Sequence, residues 1–71
     1  MVTEFGKILR EIRSNNNQLV YDMSIVLDTT TSYLDAVELG KRPIEKEWIG
    51  ILINNYKLDN SAIEKLKDFI K

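Results

Sequence analysis

Phe5, Ile8, Leu9 and Ile12 fall at i, i+3, i+4 and i+7, the spacing that lays one apolar stripe along an α-helix. The helical period returns at Val20, Met23 and Leu27, and again at Leu34 and Val37. It continues through Trp48, Ile49, Ile51, Leu52, Ile53 and Tyr56, and through Ala62, Ile63, Leu66, Phe69 and Ile70. No stretch alternates apolar and polar residues as a half-buried strand does. The pattern predicts an all-α chain, with helices at about residues 4–14, 19–27, 31–39, 45–56 and 61–70 in one domain over residues 1–71.

Local chemistry sets the boundaries. Thr3 is a candidate N-cap, and Glu4 suits the positive end of the first helix dipole. Ser14, Asn15, Asn16 and Asn17 end that helix, because short polar side chains compete for backbone hydrogen bonds. Asp28, Thr29 and Thr30 form a turn in which Asp28 tolerates a left-handed backbone. Thr30 is expected to cap the third helix and Gly40 to stop it. Ser61 and Glu64 have the spacing of a capping box for the fifth.

A chain of 71 residues builds a marginal core, and many domains of this size gain stability by pairing with a second copy. The absence of Cys and His removes thiol chemistry, imidazole bases and most transition-metal sites. No nucleophile–base pair and no Gly-rich phosphate loop is present, so neither enzymatic activity nor a cofactor is expected. No apolar run exceeds three residues, as at Ile25–Leu27 and Ile51–Ile53, so no membrane span is expected. The first residues lack a basic segment followed by an apolar one, which leaves the cytoplasm as the expected compartment. A net charge of −1 speaks against nucleic acid, whose binders are usually basic.

The wording of the chain points the other way. FGKILREIR, YDMSIVLD, SYLDAVELGKR and WIGILINNYKL, in that order and spacing, resemble the Cro/repressor-like helix-turn-helix family, also called the XRE family. The resemblance covers Thr3 to Leu58 and is strongest at Ser32–Arg42. It implies a five-helix domain that binds double-stranded operator DNA as a homodimer and represses transcription. Thr30, Thr31, Ser32, Asp35 and Ala36 match positions that meet bases and phosphates in that family. Lys41 and Arg42 match positions that grip the DNA backbone, and Lys7, Arg13 and Lys46 are further candidates for phosphate contact. Arg10 and Glu38 match a pair that the family joins between its first and third helices.

Several positions depart from the family pattern. Asp28 stands where Gly is usual, Thr29 where an apolar residue is usual, and Ser24 where Ala is usual. Asp35 replaces a common Ser, and no Lys or Arg occurs from Ser14 to Gly40. A carboxylate in the major groove can accept from cytosine N4, but phosphates repel it. Two adjacent β-branched residues, Ile25 and Val26, cannot both face the core; with Tyr21 they form a candidate apolar patch for a protein. Trp48, Ile49, Ile63, Leu66, Phe69 and Ile70 are candidates for a dimer seam. The alternative expectation is the same fold used to bind a protein, as an antirepressor, repressor modulator or phage inhibitor, with weak or no DNA binding.

Overall fold

A computed structural model describes the backbone of residues 2–70 and the side chains of residues 2–69. Among these residues it contains α1 (Glu4–Asn15), α2 (Val20–Val26), α3 (Thr31–Glu38), α4 (Lys46–Asn55), α5 (Asn60–Lys67) and a short 3-10 turn (Asp68–Ile70). No strand is present among them, and none of the helices is long and apolar enough to cross a membrane. The expected helices therefore appear in order, with ends displaced by a few residues.

The caps explain those ends. The Thr3 hydroxyl accepts from the Gly6 N–H at 3.1 Å, satisfying one orphan donor at the start of α1. Asn17 adopts a left-handed φ of 54° beyond the other end, which turns the chain toward α2. Leu19 occupies the cap position of α2 without an oxygen to offer, and Asp22 instead accepts from the Leu19 N–H at 2.8 Å. The left-handed turn after α2 falls on Asp28, at φ 55°. There Thr29 N–H reaches back to the Ser24 carbonyl at 2.9 Å and closes the helix end. Gly40, at φ 78°, does the same after α3, where Lys41 N–H donates to the Ala36 carbonyl at 2.8 Å.

The fifth helix corrects one expectation. Ser61 and Glu64 do not form its capping box; Asp59 is the cap, accepting from the Ala62 N–H at 2.8 Å. Asp caps as well as Ser, and starting earlier gains the Ile63 N–H to Asp59 carbonyl bond. The regular helix also ends at Lys67 and tightens into the 3-10 turn.

All five helices contribute to one core built on Phe5, Leu9, Ile12, Met23, Leu27, Leu34, Val37, Trp48, Ile49, Leu52, Tyr56 and Leu66. Trp48, Ile49 and Leu66 are thus interior residues of the single chain, because the inner faces of α4 and α5 are used up in packing against the chain's own core. They have no exposed side chain to offer a dimer seam. Ile63 and Phe69 are half-buried, with Phe69 edge-on to Phe5 at 5.2 Å, and the Ile70 side chain lies outside the described residues.

Two contacts lock α1 against α3. The Glu38 carboxylate is wholly buried and takes both the Arg10 guanidinium, at 3.3 Å, and the Arg13 guanidinium. The Glu38 carbonyl accepts from the Thr3 N–H at 3.0 Å and the Thr3 hydroxyl at 2.9 Å. Gly6 permits this approach, since a Cβ there would lie 2.4 Å from that carbonyl oxygen. The Arg10–Glu38 pair is present as the resemblance implied, but Arg13 is its buried member. Arg13 is only 8% exposed and committed to Glu38, so it is withdrawn from the candidates for phosphate contact.

Glu38→Gln is expected to cost about 3–5 kcal/mol in urea denaturation, because it leaves the Arg13 charge buried and unmatched. Arg10→Ala, on a half-exposed partner, should cost no more than about 1 kcal/mol. Equal losses for the two variants would show that burial of the pair is not what matters.

Candidate nucleic-acid interface

The turn after α2 and the eight residues of α3 decide which groups face outward. Leu34, Val37 and Glu38 fill the inner face of α3. Ser32 and Asp35 are exposed, and Thr31 and Ala36 are half-buried beside them. The expected contact residues on α3 therefore share the outer side of one helix, with Thr30 at its start.

Thr30 has two functions available at once. Its hydroxyl oxygen accepts from the Tyr33 N–H at 3.1 Å and so caps α3. A hydroxyl keeps its own proton when it accepts, so Thr30 can still donate to an outside oxygen. Beyond the helix, Lys41 and Arg42 are both exposed in the loop that follows Gly40. Lys7 is exposed and lies 3.4 Å from Glu4, and Lys46 is exposed in the first turn of α4.

Tyr33 is a residue that sequence reasoning missed. Its ring stands edge-on to Trp48 at 6.0 Å, and its hydroxyl donates to the Glu45 carboxylate at 2.6 Å. These two contacts tie α3 to the start of α4 and so brace the loop that carries Lys41 and Arg42. The hydrogen bond to Glu45, then desolvation and the Glu45 charge, raise the Tyr33 pKa above 10.0; Arg42 pulls it the other way. An aromatic residue on the edge of a helix's inner face was the only signal in the sequence. Gln18 was missed too: it accepts the Tyr56 hydroxyl proton, joining the end of α4 to the loop before α2.

The electrostatics of this region are lopsided. Asp22, Asp28 and Asp35 are exposed, and no Lys or Arg lies between Ser14 and Gly40. Positive charge beside α3 in the chain comes from Lys41 and Arg42. Of the apolar candidates on α2, Tyr21 is 63% and Ile25 60% exposed, whereas Val26 packs half-buried against the core. Of the two β-branched neighbours, Ile25 faces out and Val26 packs against the core.

Comparison with known proteins gives no match, whether to a family model, to a curated protein or to a solved structure.

The Tyr33–Glu45 tie is open to direct test. Spectrophotometric titration should show the Tyr33 phenol ionising above its ordinary value of 10.0. In Glu45→Gln the same transition should move down, because the neighbouring negative charge is gone and the amide oxygen left in its place is a weaker acceptor. A titration unchanged by the substitution would mean that the contact does not persist in solution.

Proposed function

We propose that this chain is a DNA-binding transcriptional regulator of the Cro/repressor-like helix-turn-helix type. It acts as a homodimer on a palindromic operator near its own promoter, and represses by excluding polymerase, without a cofactor. The observation that carries the proposal is the path from Thr30 to Arg42. A hydroxyl-capped helix presents Ser32 and Asp35 outward and runs directly into an exposed basic loop. In this reading α3 enters the major groove, and the two copies of α3 sit about one DNA turn, ~34 Å, apart.

The chemistry of the face limits how it reads bases. An Arg–guanine fork is not available from α3. Thr30, Thr31 and Ser32 offer hydroxyls, Ala36 offers a methyl for thymine, and Asp35 offers an acceptor for cytosine N4. Affinity rests on Lys41 and Arg42 from each copy, with Lys7 and Lys46 as outer candidates.

The acidic surface favours a second reading, in which α3 is a protein-binding face and DNA binding is weak or absent. Asp35→Lys separates the two. It should strengthen non-specific DNA binding if α3 faces the duplex, and it should damage a protein complex if α3 is the protein surface.

Four phosphate contacts per dimer predict a log–log salt slope of about −4 on duplex DNA from upstream of the gene. Arg42→Ala should flatten that slope by about two and weaken binding to every sequence alike. The check is a fluorescence-anisotropy titration against a scrambled duplex at several salt concentrations. No preference for the upstream sequence at any salt would sink the repressor reading.

A further inference from the structure

All the large apolar side chains that the described residues expose, Leu19, Tyr21 and Ile25, lie within seven residues of one another at α2. Their exposures are 73%, 63% and 60%, and Tyr21 and Ile25 stand one helical turn apart on the same face. The core does not need them: Met23, Ser24 and Leu27 supply the inner side of this segment. Asp22, three positions before Ile25, borders this face, and Asp28 follows the end of the helix; both are exposed. No Lys or Arg occurs from Ser14 to Gly40, and Arg13, which reaches Met23 of α2, is buried and paired with Glu38.

We propose that this face of α2 is a docking surface for a basic, amphipathic segment of another protein. The apolar side chains would take the partner's aliphatic or aromatic groups, while Asp22 and Asp28 pair with Lys or Arg beside them. Charge decides among the occupants. A second copy of this chain would set Asp22 and Asp28 against their own counterparts, and DNA would set them against phosphates; both juxtapositions are repulsive. A basic segment is attracted by the same charges and buries the same apolar groups. The inference goes beyond the DNA reading, because it concerns α2 and not the outer side of α3.

The test uses the full chain and a defined probe. A short helical peptide of Lys and Leu, with one apolar and one basic face, is titrated into the isotopically labelled protein and followed by amide chemical shifts. A Lys/Ser peptide of equal charge and a Glu/Leu peptide of opposite charge serve as controls. Saturable shifts centred on Leu19–Asp28 with the Lys/Leu peptide alone are the expected result. Ile25→Ser and Tyr21→Ser, both at exposed positions, should each weaken that binding by about tenfold. Asp28→Asn keeps the left-handed turn and should weaken it by a smaller factor that vanishes at high salt.

Equal binding of the Lys/Ser peptide, shifts mapped to another face, or no shift at millimolar peptide would each overturn the proposal. Self-association lost on Ile25→Ser in sedimentation would assign the face to a second copy and overturn it as well. None of these results depends on DNA, so the proposal and the repressor reading can fail separately.

Discussion

One buried carboxylate holds the arrangement of α1 and α3. Glu38 has no exposed surface, and its side chain draws Arg10 and Arg13 from the middle and end of α1. Its carbonyl, at the last residue of α3, is claimed by Thr3 at the start of α1. Both ends of the contact are thus fixed by a single residue, and Gly6 removes the Cβ that would hold the helices apart. The pair adds little net stability, because desolvating the charges offsets most of their attraction. Its effect is on geometry. Any packing that separates Glu38 from Arg13 leaves a charge buried without compensation. The direction in which Ser32 and Asp35 point follows from that constraint.

The helices were legible because their signals are local. Apolar spacing marked each one, and Thr3, Thr30, Asp28 and Gly40 act where their side chains or backbone freedom suggested. The fifth helix was misjudged at its start because two valid caps stand two residues apart, at Asp59 and Ser61. Sequence spacing cannot rank them; the hydrogen bond from the Ile63 N–H to the Asp59 carbonyl does. Arg13 was misread for a different reason. It follows Ile12 on the buried stripe of α1, four positions after Leu9, yet a charged residue at the end of a short helix reads first as solvated. Its place in the core depends on Glu38, which is 25 residues away. The Tyr33–Glu45 and Tyr56–Gln18 contacts are non-local in the same sense. Among the candidate contact residues, exposure at Ser32, Asp35, Lys41 and Arg42 follows from helix phase, whereas their chemistry toward a partner does not.

The distribution of charge shapes both functional proposals. Of the ten basic residues, Arg13 is interior and Arg10 is held by Glu38, and none stands between Ser14 and Gly40. A single copy would grip phosphates through a two-residue loop, which is weak. Pairing two copies on one palindrome makes the second grip intramolecular, so modest contacts can sum to useful affinity when the spacing fits. The proposed site therefore depends on a dimer.

The two proposed surfaces also bear on each other. The lack of cations that would limit the hold of α3 on DNA would also leave α2 free to attract a basic partner. If both surfaces are used, a partner seated on Tyr21 and Ile25 carries its own Lys or Arg side chains next to the α3 face. Those cations neutralise Asp22 and Asp28 and lower the repulsion that phosphates meet there. DNA and partner would then strengthen one another, and by linkage the factor by which the partner tightens DNA must equal the factor by which DNA tightens the partner. A face with its own lysines would bind DNA without help, and a basic partner would then be repelled from α2. On the two proposals together, the acidic segment would make DNA affinity conditional on what else is bound.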